Sequence, residues 1–279
     1  MDTIPTEHPI DFAHPLQTVE ADGCTFSYRE NGDGPAMVVL HGIGSGSGSW
    51  VYQLDGLADR YRVIAWDAPG YANTTPVDTP SPVAAQYAEK LETLLSALNV
   101  VPAVLIGHSF GALTAASYAS RHSELPALIL ADPANGYGAV DEETRAGKRD
   151  PRIAAMRELG PVGLAEKRSS ALLSDNVSAD ARGIVQWNMS KLNSTGYVQA
   201  AHVLANSHLI GDAPAYNGPV LVMCGSEDTV TPEEVCRPVA NAYSNSEYLT
   251  LPRVGHASYV ENGTQFNQAI LNFIEMQND

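Results

Sequence analysis

One stretch constrains this chain more than any other: Val104-Leu105-Ile106-Gly107-His108-Ser109-Phe110-Gly111-Ala112. The run from Ala103 to Ile106 is continuous and apolar, the pattern of a short strand buried on both faces. It enters Gly-His-Ser-Phe-Gly directly, and Ala112–Ala119 behind it reads as a helix. A strand, a G-x-S-x-G turn and a helix in immediate succession hold a serine hydroxyl at the tip of a strand and beside a helix N-terminus. A turn that tight forces its central residue into an unfavourable backbone conformation, and small neighbours let the flanking segments pass. Negative charge developing at the hydroxyl is favoured by the helix start. Ser109 is therefore the first candidate nucleophile.

The rest of the chain alternates in the same way. Gln17–Glu20 and Cys24–Glu30 read as two strands around the Asp22-Gly23 turn, a hairpin signal. Ala36–Leu40, Arg62–Trp66, Ala127–Ala131, Val220–Cys224 and Glu247–Leu251 read as further strands. Helices are expected at Tyr52–Arg60, Pro82–Leu98, Pro232–Asn241 and Val260–Met276. Residues 1–16 are polar and rich in proline and read as a loose arm. Strands alternating with helices predict an α/β fold, a mostly parallel sheet of eight strands covered on both faces. Between 135 and 215 no apolar strand interrupts charged helical segments at Asp141–Arg149, Arg152–Leu159, Gly163–Leu173, Ala179–Leu192 and Tyr197–His208. The expected organisation is a core of 1–134 and 216–279 with a helical insertion at 135–215.

In parallel sheets chemistry collects at the carboxyl ends of the strands. Ser109, Asp132, Asp228, His256 and the His41-Gly42 loop each follow a predicted strand. A serine needs a base within hydrogen-bond reach, and that base needs an orienting acid. His256, in Gly255-His256-Ala257-Ser258, is the best base. His108 is expected to pack, since its side chain points away from that of its neighbour Ser109. Chain order asks for an acid between nucleophile and base. Asp228 fits, with Asp132 and Glu227 as competitors; a non-catalytic reading of Asp132 is a cap on the first turn of the insertion. Two backbone N–H groups should receive the oxyanion of an acyl-transfer reaction, those of Phe110 and Ile43.

Other chemistries are disfavoured. The Gly44–Ser49 alternation could cradle phosphate, but a phosphate loop needs a lysine and none lies between Met1 and Lys90. A dinucleotide fingerprint fails for want of the acidic partner about 20 residues on. No His, Cys and carboxylate cluster has metal-ligand spacing. A net charge of −16, from 16 Lys and Arg against 32 Asp and Glu, repels nucleic acid and anionic lipid. Three cysteines, Cys24, Cys224 and Cys236, without a C-x-x-C pair, suit free thiols in a reducing, cytoplasmic setting. No signal peptide and no membrane-length apolar run is visible. The expected partner is a small-molecule substrate, with a homodimer as the assembly to consider.

His41-Gly42-x-Gly44, Trp66-Asp67-Ala68-Pro69-Gly70-Tyr71, Gly107-His108-Ser109-Phe110-Gly111, Gly225-Ser226-Glu227-Asp228 and Gly255-His256 together resemble the α/β-hydrolase family over most of the chain. The likeness is greatest to its esterase, enol-lactonase and ring-cleavage-product hydrolase branches. It implies no cofactor, and it places a helical cap where residues 135–215 stand. Carbon–carbon hydrolases of the group often carry a Trp soon after the triad histidine; Ala257 and Ser258 stand there. Dehalogenases and epoxide hydrolases carry Asp at the nucleophile position, where this chain has Ser109.

The function expected is cleavage of a small carboxylic ester or lactone through an acyl-enzyme, using Ser109, His256 and Asp228. The alternatives are a carbon–carbon or amide hydrolase with the same triad, or a cofactor-free dioxygenase, lyase or acyltransferase. Substrate contacts are expected from His41, Gly42, Trp187 and Tyr137. Met189, Tyr197, Arg145, Arg149, Arg152 and Arg182 are nearby in the insertion. An arginine reaching into the pocket would suit a carboxylate-bearing substrate, and an exposed helix face accounts for these arginines equally well.

Overall fold

A computed structural model describes Ile4 and residues His8–Asn278. In chain order they form α1 (Ile10–Ala13), β1 (Gln17–Ala21), β2 (Cys24–Asn31), β3 (Ala36–Leu40), α2 (Val51–Gly56), β4 (Arg62–Trp66), α3 (Ala84–Ala97), β5 (Pro102–His108), α4 (Phe110–Ala119) and β6 (Leu128–Ala131). They continue with α5 (Glu142–Arg168), α6 (Ala179–Ser190), α7 (Ser194–Asn206), α8 (Leu209–Asp212), β7 (Val220–Gly225), α9 (Glu233–Ala242), β8 (Ser246–Leu251), α10 (Ser258–Glu261) and α11 (Gly263–Asn278).

The eight strands form one sheet in the order β1-β2-β4-β3-β5-β6-β7-β8. The β1–β2 hairpin and the β2–β4 pair are antiparallel, and every other pair is parallel. The apolar runs explain this. Each central strand is buried over all but at most one residue, so successive side chains must enter two cores, one per face. Val38, Leu40, Ile64, Leu105 and Leu130 pack on one face with Tyr87 and Leu91 of α3 and Leu113 of α4. Met37, Val39, Val63, Ile106 and Ile129 pack on the other with Leu54 of α2 and Phe266 and Ile270 of α11.

Several boundaries differ from the sequence reading, each for a local reason. The three helices expected over 141–173 are one long helix, α5, running through Pro151 and broken only where Gly160 takes φ 63° and ψ 179°. Pro161 then occupies the first position of the second half, where its missing N–H costs nothing. The helix expected at Tyr52–Arg60 starts earlier, as a 3₁₀ turn at Ser47–Trp50, and α2 ends at Gly56. The C-terminal helix is interrupted at Asn262, φ −141° and ψ 72°, which separates α10 from α11. Part of the supposed loose arm is outside the described residues. The rest is anchored: Ile10 is fully buried, Asp11 pairs with Arg29 at 2.7 Å and His14 with Asp55 at 2.7 Å.

The helices between β6 and β7 rest on loops at the carboxyl ends of the strands. Their closest approach is between backbones. A Cβ on Gly70, after β4, would lie 2.5 Å from the Gly196 Cα in α7, and a Cβ on Gly196 would lie 2.2 Å from the Gly70 carbonyl oxygen. Only hydrogen fits on either side of that contact.

Candidate active site

Strand β5 ends at His108 and α4 begins at Phe110, so Ser109 alone makes the turn. It does so at φ 51° and ψ −113°, a conformation disfavoured for a residue with a side chain. The crowding that holds it there is visible on both sides. A Cβ on Gly107 would lie 2.6 Å from the Gly111 carbonyl oxygen, and one on Gly111 would lie 2.4 Å from that of Leu40. Gly107 and Gly111 therefore let helix, strand and neighbouring strand converge around one serine.

Three side chains from three different strand ends meet at this point. His256 Nε2 lies 2.9 Å from Ser109 Oγ, and His256 Nδ1 lies 2.8 Å from Asp228 Oδ2. All three residues are buried. Asp228 follows β7; its Oδ1 accepts the backbone N–H groups of Val230 at 2.7 Å and Thr231 at 3.0 Å. Burial works to raise its pKa, but the His256 contact and these N–H groups outweigh that and hold it at about 2. Asp228 is thus ionised at neutral pH and can only accept. His256 must carry its proton on Nδ1, which leaves Nε2 as the acceptor for the Ser109 hydroxyl.

The competing acids are placed elsewhere. Glu227 is exposed. Asp132, after β6, is fully buried at φ 46° and has no hydrogen bond to His256 among the described residues. Its Oδ1 accepts Gly225 N–H at 2.7 Å and its Oδ2 accepts the Ser258 hydroxyl at 2.6 Å. Burial, then the nearby Asp228 charge, pushes its pKa well above its ordinary value. Asp132, Cys224 and Asp228 bring one potential metal ligand each within 4.8 Å of one another. The carboxylate oxygens of both aspartates accept hydrogen bonds from this chain, and the Cys224 thiol points at the Gly225 and Thr231 carbonyls.

Sequence reasoning missed two residues here. Thr231 Oγ1 lies 2.8 Å from Asp228 Oδ2, 3.1 Å from His256 Nδ1 and 2.9 Å from the Asp132 carbonyl oxygen. A hydroxyl three residues after the acid was the available signal. His108, expected only to pack, directs Nε2 at the His256 carbonyl oxygen at 2.8 Å, so that nitrogen carries the proton. Its Nδ1 is buried with no partner among the described residues. Burial, then the neighbouring His256, lowers its pKa to about 3, so it is neutral.

A cavity of about 310 Å³ opens above Ser109, at the small end of the range for ligand pockets. Gly42, Ile43, His108, Ser109, Tyr137 and His256 are among its lining residues. Two of the expected substrate contacts are not. Trp187 is buried against the Gly44–Ser49 loop, its ring 2.8 Å from where a Gly48 Cβ would stand, and it borders a separate depression with Arg29, Asp67 and Lys191. Its bulk fills the joint between α6 and that loop. His41 is completely buried, and both ring nitrogens are engaged: Nδ1 donates to the Gly42 carbonyl at 2.8 Å, and Nε2 accepts the Ala68 N–H at 3.0 Å. Ser45 N–H also reaches the Gly42 carbonyl, at 3.1 Å, and the Tyr71 hydroxyl reaches that of Ile43 at 2.8 Å. His41 therefore holds the loop and does not face the cavity.

A mostly parallel sheet covered on both faces thus carries, below a cavity, a serine alone at a strand–helix turn, hydrogen-bonded to a histidine that is in turn hydrogen-bonded to an aspartate; this is the architecture of an α/β hydrolase. Comparison with known proteins gives the family. The family model for the alpha/beta hydrolase fold matches residues 35–263, and the chain belongs to that family. The putative carbamate hydrolase RutD of Stutzerimonas stutzeri is 24% identical over 255 residues, covering 89% of this chain and 95% of that protein. A thermophilic esterase from Thermogutta terrifontis superimposes with a TM-score of 0.82 at 21% identity, over 95% of this chain and 99% of that one. The enol-lactonase from Burkholderia xenovorans LB400 gives 0.81 at 21% identity, over 93% and 100%.

Proposed function

We propose that this chain is a serine hydrolase of small carboxylic esters or lactones. The observation that carries the reading is the unbroken run of hydrogen bonds from Asp228 through His256 to Ser109 at the floor of a cavity. Ser109 Oγ attacks the carbonyl carbon while His256 Nε2 takes its proton. Asp228 fixes the tautomer and offsets the charge of the imidazolium that forms. The oxyanion falls between two N–H groups, those of Phe110 and Ile43. The first is the opening amide of α4, at the positive end of the helix dipole. The second belongs to the Gly42–Ile43 peptide, whose carbonyl is held by His41 and Ser45; a carbonyl fixed on one side of a planar peptide fixes the N–H on the other. The alcohol leaves with the proton from His256. Water, deprotonated by the same imidazole, then releases the acid. Residues 135–215 serve as the cap that bounds the cavity, and no step calls for a cofactor.

The test is a panel of p-nitrophenyl esters, lactones, amides, carbamates and vinylogous diketones, assayed with wild type and Ser109→Ala. Ester or lactone turnover that falls on the order of 10⁴-fold or more in Ser109→Ala supports the reading. Turnover confined to amides, carbamates or carbon–carbon substrates moves the chain to another branch. Oxygen consumption without ester cleavage, or ester cleavage that survives Ser109→Ala, ends the proposal.

A further inference from the structure

Three of the five arginines of α5 share one face of its first half and are not equivalent. Arg145, Arg149 and Arg152 stand four and three residues apart, on one stripe of the helix. Arg145 pairs with Glu142 at 2.8 Å. Arg149 pairs with Glu142 at 3.2 Å and with Asp150 at 2.7 Å. Arg152 comes one turn further on, past the last of these carboxylates. Its hydrogen bond is to the Lys148 carbonyl, and no carboxylate pairs with it among the described residues. It is half-buried and lines the cavity above Ser109. Arg182, on α6, is exposed.

The other lining residues sharpen the contrast. Leu172, Val185, Leu204, Val230 and Val235 make much of the wall apolar. No Asp, Glu or Lys lines it, so Arg152 supplies the one fixed charge among the lining residues. This is a chain with twice as many acidic as basic side chains. A guanidinium there could readily have been given a carboxylate partner, as its two neighbours were. Held against a cavity of low polarity, it retains most of its donor capacity, in the fork geometry that fits a carboxylate.

We infer that Arg152 recognises a carboxylate on the substrate, which makes the substrate class the half-ester of a dicarboxylic acid or a lactone that carries a free carboxylate. This rests on the serine-hydrolase reading for the bond cleaved, but recognition of the anion is a separate property of the cavity. The overall charge gives the arginine a further purpose. The acidic field of the protein repels anions at long range, so an anionic substrate needs a cation inside the site to be held at all.

Two measurements separate this inference from the reading it rests on. The first compares p-nitrophenyl half-esters of succinate, glutarate and adipate with neutral p-nitrophenyl esters of equal chain length, in wild type, Arg152→Gln, Arg152→Lys and Arg152→Glu. The expected result is a kcat/KM ratio, half-ester over neutral, that falls about 10- to 100-fold in Arg152→Gln. It should recover in part in Arg152→Lys and fall furthest in Arg152→Glu. A ratio within about twofold of wild type in all three variants overturns the inference while leaving the hydrolase intact. The second is calorimetric binding of succinate and glutarate to wild type and Arg152→Gln. It needs no turnover, so it decides the matter even if none of the esters is cleaved. Binding to wild type that weakens by a similar factor in Arg152→Gln supports the inference, and equal binding or none to both removes it.

Discussion

Thr231 grips both oxygens of Asp228: its hydroxyl lies 2.8 Å from Oδ2 and its N–H 3.0 Å from Oδ1. The carboxylate is therefore oriented before His256 reaches it. Thr231→Val keeps the shape and the backbone N–H but deletes the hydroxyl. It should lower kcat on an activated ester about tenfold and cost about 1–3 kcal/mol of stability, because the Asp132 carbonyl loses a buried partner. Thr231→Ser should recover most of both, as read by steady-state kinetics and urea denaturation. An unchanged kcat in Thr231→Val would show that the orienting contact is idle.

The two buried aspartates should respond oppositely to the same substitution. Asp228→Asn removes the acceptor that fixes the His256 tautomer, and kcat should fall on the order of 10⁴-fold. In Asp132→Asn the remaining oxygen can still accept Gly225 N–H, and the Ser258 hydroxyl can turn to accept from the new amide. Its kcat should stay within about tenfold of wild type. The reverse pattern in a single-turnover assay would transfer the acid role to Asp132.

Acid should weaken the fold well before the carboxylate range. His108, with its pKa lowered to about 3 by burial, is neutral in the fold but titrates near 6.5 once unfolded. A depressed folded value means that its contribution is whole above 6.5 and is lost as pH falls towards 3. Asp228, lowered to about 2, adds a second loss between its ordinary 3.8 and 2. Urea denaturation at pH 7.5 and 4.5 should show wild type losing more stability than His108→Asn, which has no charge to gain. Equal losses in the two proteins would refute the assignment.

His41 should affect rate more than affinity. His41→Phe removes both hydrogen bonds that join the Gly42 carbonyl to the Ala68 amide. If these hold the Ile43 N–H for the oxyanion, kcat should fall about 100-fold with KM little changed. A rise in KM alone would instead mark His41 as acting on the shape of the cavity.

The backbone contact between Gly70 and Gly196 should tolerate no side chain. Gly196→Ala would put a methyl 2.2 Å from the Gly70 carbonyl oxygen. The expected cost is about 1–3 kcal/mol, visible by calorimetry as a Tm lower by about 5 °C. An unshifted Tm would mean that α7 moves away freely.

The centre of the sheet was legible in the sequence because its strands are buried on both faces. Runs such as Ala36–Leu40 and Val220–Cys224 leave little choice of conformation. The elbow was legible because glycine at 107 and 111 has few other uses beside a strand end. Other features depended on long-range partners, which local pattern does not encode. Trp187 and His41 carried suggestive chemistry, but a loop far along the chain had already occupied them. Thr231 and His108 looked ordinary until β6, β7 and the His256 loop came together. Among the α5 arginines, three share one stripe by spacing; only the folded positions of Glu142, Asp150 and the cavity wall distinguish Arg152.

The glycine seam between the β4 loop and α7 divides the insertion into parts with different freedom to vary. At Gly70 and Gly196 the two main chains touch, so any change there must be matched by displacement of a whole segment. Leu204 reaches the cavity from α7 itself, but Arg152 and Val185 reach it from α5 and α6, away from that stitch, and can be exchanged one side chain at a time. New substrates can thus be accommodated by drift on two helices while the third stays fastened, and a library aimed at altered specificity belongs on α5 and α6.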